Sequence, residues 1–199
     1  MTLLFSRRHY RGVAESYLRG IERRVEAGLD PNVPSVASLF ISRWDAHTAA
    51  QLPPELANRL GIAVAQRTYA VYLEILGSDR WQRLEAAGAR PQRVLWASTG
   101  TKDPSLPDGY YVTALAADGT VNTMPEKTLL AFSESGQMKG VLSGDTADAD
   151  RVVADVRKAG IDLDALAARL QIEGRDAFVE SWNDLLRCVE SKHKAIRVA

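Results

Sequence analysis

Two cations stand beside hydroxyls and a glycine at the ends of two apolar segments. Arg43 closes the run Ser38-Leu39-Phe40-Ile41-Ser42, and Lys102 follows Ala97-Ser98-Thr99-Gly100-Thr101. A bound phosphate group needs this combination: positive charge, neutral donors and a backbone that can approach closely. A lone arginine or lysine after a strand is ordinarily solvated or ion-paired, and Ser38 or Ser98 alone reads as a small residue in a crowded strand. The repetition of one residue set at two segment ends is what points to phosphate. Asp45 and Asp103, near these cations in sequence, are expected to form ion pairs with basic neighbours.

Other chemistries have less support. His9, His47 and His193 lack the spacing of metal ligands and read as surface or core residues. The single cysteine, Cys188, has no partner for an internal disulfide, reads as a packing residue and fits a reducing cytoplasm. The 25 basic residues balance the 25 acidic ones, for a net charge of +0. Trp44, Trp81, Trp96 and Trp182 are too scattered to make a stacking platform, so nucleic acid is not an expected partner. A membrane is not expected either, since no run approaches the roughly 18 apolar residues of a spanning helix.

The elements that must position the two cations alternate in period. Thr2 to Ser6 reads as a buried strand. Tyr10, Val13, Ala14, Tyr17, Leu18, Ile21 and Val25 then recur at helical spacing up to Gly28. A second strand is expected within Val33 to Ile41, then a short helix from Asp45, a turn at Pro53-Pro54 and a helix from Glu55 to Leu76. A helical piece over 80–87 precedes the third strand, 93–98. Residues 110–115 fit a strand or a helical turn equally, 121–124 a fourth strand, and 126–134 a helix. From Thr146 on, three helices are expected, parted at Gly160-Ile161-Asp162 and near Gly174. Apolar strands alternating with amphipathic helices mark an α/β protein with a parallel sheet buried on both faces. Neither a Gly-x-Gly-x-x-Gly nor a P-loop is present, which leaves a (β/α) barrel. A full barrel needs eight units and about 250 residues; four units are countable here, so half a barrel in a single domain, 1–199, is expected. A chain that starts inside a strand reads as one cut within the barrel.

Four segments carry a resemblance: Thr2-Leu3-Leu4-Phe5-Ser6, Ser35-Val36-Ala37-Ser38-Leu39-Phe40-Ile41-Ser42-Arg43, Leu95 to Pro104, and Val121-Asn122-Thr123-Met124-Pro125-Glu126. With the tail from Gly160 to Phe178, they resemble the bacterial transaldolases across essentially the whole chain. The resemblance implies the C-terminal half of a TIM (β/α)8 barrel, strands five to eight, with closing helices over 146–190. It implies a cytoplasmic transferase of the pentose phosphate pathway that moves a dihydroxyacetone unit between sugar phosphates by Schiff-base chemistry, with no metal or organic cofactor. Thr2 matches the threonine that holds a catalytic water, and Ser38 and Phe40 match residues lining the site. Arg43, Ser98 and Lys102 match the phosphate-binding set, Lys102 in a loop of variable length; Ser42 stands where a glycine can occur. The Schiff-base lysine of the fourth strand has no counterpart: Lys127, Lys139, Lys158, Lys192 and Lys194 fall in helices or their flanks. The chain alone is therefore expected to be inactive and to pair with the missing N-terminal half or form a homo-oligomer. The alternative is a non-catalytic half-barrel that binds sugar phosphates and pairs with another chain.

Overall fold

Two strands of six residues do most of the organising. Strand β1 (Ser35–Phe40) and strand β2 (Gln92–Ala97) pair in parallel, with Ser38 opposite Leu95 and Leu39 opposite Trp96. Strand β3 (Val121–Asn122) adds to the far side of β2, giving the order β1-β2-β3. These positions come from a computed structural model, which describes residues 1–138 and 140–198. Helix α1 (Arg7–Glu26) leads into β1. Helices α2 (Ser42–Thr48), α3 (Leu60–Leu76) and α4 (Asp79–Ala86) connect β1 to β2, and α5 (Tyr110–Ala114) connects β2 to β3. Helices α6 (Glu126–Ser135), α7 (Ala147–Lys158) and α8 (Leu163–Val198) complete the chain.

Side chains alternate across the pleat, and the two faces have different fates. Ala37, Leu39, Val94 and Trp96 are all fully buried beneath the helices. Val36, Ser38 and Leu95, on the opposite face, are only half-buried. The expectation of burial on both faces is thus met throughout on one face and, on the other, only at the strand ends, where Phe40 and Ala97 are buried. On the covered side Tyr10 and Ala14 of α1, Ala65, Tyr69 and Tyr72 of α3, and Val152, Val153 and Val156 of α7 join the main core. A second cluster, Leu18, Ile21, Trp81, Leu84 and Ala89, seals α1 against α4. Val25 and Leu73, on the expected apolar stripes, are exposed at the margins.

Several boundaries are set by backbone chemistry. Ser6 caps α1 by accepting the His9 N–H at 3.1 Å, and Ser78 caps α4 through the Trp81 N–H at 3.2 Å. The helix expected from Glu55 is a 3-10 turn, Pro54–Leu56, followed by α3 from Leu60; Asn58 at φ 58° interrupts the two. Residues 110–115 resolve as helix. The expected break near Gly174 does not occur, and α8 runs through it. A Cβ at Gly174 would lie 2.7 Å from Leu3 Cδ2, so this glycine serves a close approach between distant segments, not a helix end.

The expected first strand is reduced to a bridge between Leu4 and Leu39. Leu4 N–H donates to the Ser38 carbonyl at 3.1 Å and Phe40 N–H to the Leu4 carbonyl at 2.9 Å, as in a parallel ladder. One step earlier Ser38 N–H reaches the Met1 carbonyl, 3.0 Å, where regular pairing would use Thr2. Three residues on this segment thus span two on β1, a bulge made by Leu3 at φ 58°.

Two glycines in helices predict opposite responses to the same substitution. At Gly61 in α3 a Cβ would meet the Asp45 Oδ2 at 2.7 Å and the Ile41 carbonyl oxygen at 2.9 Å; at Gly20 in α1 it would meet nothing within 4 Å. In urea denaturation, Gly61→Ala should lower stability by about 1–3 kcal/mol. Gly20→Ala should raise it by up to about 1 kcal/mol.

Candidate functional site

The pairing of β1 and β2 continues past the strands and brings their trailing residues side by side. Ile41 N–H donates to the Ala97 carbonyl and Ser42 N–H to the Ser98 carbonyl, both at 3.0 Å. Ser98 takes the left-handed region at φ 57°, uncommon for a residue with a Cβ, and its Oγ lies 2.9 Å from Ser42 Oγ. Thr99, fully buried, donates its hydroxyl to the Thr123 carbonyl at 2.6 Å, with Asn122 Oδ1 3.0 Å away. A row of hydroxyls therefore crosses the ends of β1, β2 and β3.

Arg43, one residue beyond Ser42, is half-buried and stacks its guanidinium over the Phe40 ring, 5.2 Å from the centroid. It forms no ion pair among the described residues. Helix α8 passes directly above: a Cβ at Gly174 would sit 3.3 Å from Arg43 Nη1. The helix is held there by Gln171 Nε2 donating to the Leu3 carbonyl at 2.9 Å and by Glu173 Oε2, 2.7 Å from His47 Nε2. Arg169 and then His47 draw the Glu173 carboxyl below its ordinary range.

The expected residues are thus distributed unevenly. Ser38 and Phe40 lie on one face of β1, Phe40 beneath Arg43, while Ser98 joins them through Ser42. Thr2 sits in the bulge and is exposed. Lys102 is also exposed, in the loop after β2, and no contact ties it to Arg43 or Ser98. Ser42, Thr99 and Asn122 were not singled out as site residues; all three lie in the motif segments, and only the ladder geometry shows that they converge.

The expected ion pairs of Asp45 and Asp103 are not formed; both carboxylates are satisfied by neutral donors. Asp103 accepts from Ser105 and from Asn58 Nδ2 at 2.8 Å, contacts that hold its carboxyl below the usual range, with Ser105 the larger effect. Asp45, only 3% exposed, accepts the Gly61 N–H at 3.1 Å and the Tyr111 hydroxyl at 2.7 Å. Burial pushes the Asp45 carboxyl above its ordinary value; the Tyr111 bond and then the backbone N–H groups of Gly61 and Leu60 oppose that rise. Burial also pushes the Tyr111 hydroxyl up. Cys188, expected to pack, is instead exposed on α8, and Trp182 is exposed there too, while Trp44, Trp81 and Trp96 are buried.

The family described as Transaldolase/Fructose-6-phosphate aldolase matches residues 1–189. A transaldolase of Parafrankia sp. (strain EAN1pec) is 42% identical over 201 residues, covering 96% of this chain and 54% of that protein. A transaldolase of Frankia alni is 44% identical, covering 94% and 53%, and one of Saccharopolyspora erythraea is 44% identical, covering 96% and 54%. The chain spans about half the length of the curated relatives it matches.

Asp45 supplies a pH-dependent test of how the site is supported. A folded pKa above the unfolded value, about 3.9, means that the native state holds this proton more tightly. The group's contribution to stability therefore falls as pH rises from that value through the folded one. Tyr111→Phe removes a donor that favours the charged form, which moves the folded pKa further up. Denaturation at pH 7 should show a loss of about 1–3 kcal/mol, and the loss should shrink at pH 4. An equal loss at both values would remove the hydroxyl–carboxylate bond from the account.

Proposed function

Because the chain belongs to the transaldolase/fructose-6-phosphate aldolase family, we propose that it is the phosphate-holding, C-terminal half of a transaldolase-type barrel and handles sugar phosphates. The observation that carries this reading is Arg43. It is a half-buried guanidinium with no carboxylate partner among the described residues, set on Phe40 beside the Ser42–Ser98 hydroxyl pair. A cation left in that condition favours a dianionic oxyanion, and the hydroxyls can donate to its remaining oxygens. Lys102, on the exposed loop, is proposed to close on the phosphate only when it is bound. Thr2, Ser38 and Phe40 line the space where the sugar carbons would lie.

On this reading the transfer of a dihydroxyacetone unit needs a lysine that the described residues do not provide. Amine attack on a ketose carbonyl requires a desolvated lysine with a lowered pKa. Lys102, Lys127 and Lys158 are exposed, Lys127 and Lys158 being paired with Asp108 and Asp155. Lys192 is exposed near the end of α8. Lys139 and the side chain of Lys194 lie outside the described residues. The half-buried face of the sheet and its short edge strands suit pairing with the complementary half or with a second copy.

Borohydride treatment in the presence of fructose 6-phosphate should trap no covalent adduct; a stable adduct, seen as a mass increase on a lysine, would overturn the division of labour. Equilibrium binding of fructose 6-phosphate should weaken at least about tenfold on Arg43→Ala and less on Lys102→Ala. Unchanged affinity in Arg43→Ala would remove this arginine from the phosphate site.

A further inference from the structure

A cavity of about 270 Å³ opens between the start of α1, α2, α3, α7 and the start of α8, and four of its ten lining residues are arginines: Arg7, Arg8, Arg67 and Arg157. One carboxylate lines it, Asp164, which lies 3.9 Å from Arg157. Arg43, Ser98 and Lys102 take no part in its walls.

Two of these four cations, Arg67 and Arg157, have a carboxylate within ion-pair distance, and two do not. Arg7 and Arg8 form no ion pair among the described residues. Arg67 Nε lies 2.8 Å from Asp150 Oδ1, but its buried N–H is not aligned with that or any other acceptor among the described residues. Burial and then the charges of Arg7 and Arg157 lower the Arg67 pKa although Asp150 opposes them, so the guanidinia around the cavity repel one another despite that partner. The indole N–H of Trp44, a residue that borders the cavity and is 1% exposed, also has no acceptor among the described residues. A 20-residue helix, α1, begins at the same point with Ser6 as its cap. The backbone N–H groups of Arg7 and Arg8 lie in its first turn and have no intrahelical acceptor. Converging like charges cost free energy that a bound anion would recover, and the helix start adds donors and a favourable field for negative charge.

We propose that this cavity is a second oxyanion site, separate from the one at Arg43, which takes the phosphate dianion of a small soluble metabolite. Arg7, Arg8, Arg67 and Arg157 supply the charge, and the first turn of α1 supplies backbone donors. The volume is near the lower end of small-molecule pockets, which suits a phosphate group carrying a short substituent. The site lies at the start of α1 and thus beside the Leu4–β1 bridge, so its occupancy would stiffen the edge of the sheet.

Titration calorimetry of the full chain with inorganic phosphate, against chloride at matched ionic strength, tests this. In an Arg43→Ala background phosphate should still bind, and adding Arg7→Gln and Arg8→Gln should weaken that binding at least about tenfold. Both arginines are exposed and their charges repel Arg67 and Arg157, so the melting temperature without phosphate should not fall and can rise. In the unsubstituted chain the same pair of changes should remove one of two binding events. Loss of all phosphate binding in Arg43→Ala alone, or affinity indifferent to Arg7 and Arg8, would overturn the proposal. Co-sedimentation with phosphatidic acid vesicles would overturn the assignment to a soluble metabolite. The Arg43 site is judged by fructose 6-phosphate affinity, so failure of one site is distinguishable from failure of the other.

Discussion

The candidate site depends on the parallel register of β1 and β2, carried beyond the strands by Ser42 N–H to the Ser98 carbonyl. That register is held from behind. Ala37 faces Val94 and Leu39 faces Trp96 on the helix-covered face, and all four are fully buried. A slip of β1 by one residue would turn Ala37 and Leu39 to the half-buried face and bring Ser38 beneath the helices. Exposing a large apolar side chain costs about 1.5–3 kcal/mol, so the slipped pairing is strongly disfavoured. The hydroxyl pair of Ser42 and Ser98 is therefore set by the core rather than by its own single hydrogen bond.

Asp45 extends this control to the surrounding helices. Its carboxylate joins α2 to the first turn of α3 through Gly61 and to α5 through Tyr111. Those partners are neutral, which matters for Arg43. Residues two apart on a helix point in different directions, so Asp45 turns into the core while Arg43 lies over Phe40. Had the two formed an ion pair, the phosphate of the proposed reading would have to displace a carboxylate first. Separating them leaves the guanidinium available, and the desolvated carboxylate is offset by neutral donors instead. Gly61 makes the arrangement sterically feasible, because any side chain there would occupy the space of Asp45 Oδ2.

Much of this was legible from residue types. Periodicity located β1, β2, α1 and α4 to within a few residues, because their burial follows the local pattern. The motif ends pointed to Ser38, Phe40, Arg43 and Ser98, which the strand ends do bring to one region. Misreadings arose where a distant partner decides the outcome. Gly174 has the local look of a helix end, yet its role depends on Leu3 packing against it. Thr2 to Ser6 has strand composition, but the bulge at Leu3 is a property of its pairing with β1. Cys188 lies on a helix whose stripe of Phe178, Trp182, Leu185 and Val189 has the spacing of a buried face; all four are exposed. A pattern shows which side of a helix is apolar, not what covers it. Asp45 was misjudged because proximity in sequence to Arg43 was taken as proximity of their charges.

The locality of these interactions bears on what a three-stranded sheet of this kind can do on its own. Arg43, Ser42, Ser98, Thr99 and Asn122 lie on consecutive β/α units, and their positions follow from β1, β2 and β3 pairing with their immediate neighbours. Such a site keeps its geometry wherever these strands keep their register, so on the proposed reading phosphate recognition would require no contribution from elsewhere in a barrel. Schiff-base chemistry differs in kind. It needs an amine inside a dry enclosure facing the substrate carbon, and a sheet with one half-buried face does not enclose its ligand. Even a lysine introduced on that face would remain solvated and protonated at neutral pH, with its nucleophilic lone pair blocked. On the proposed reading, closing the barrel contributes desolvation as much as it contributes the lysine itself, and the phosphate-holding half supplies the orientation on which that closure acts.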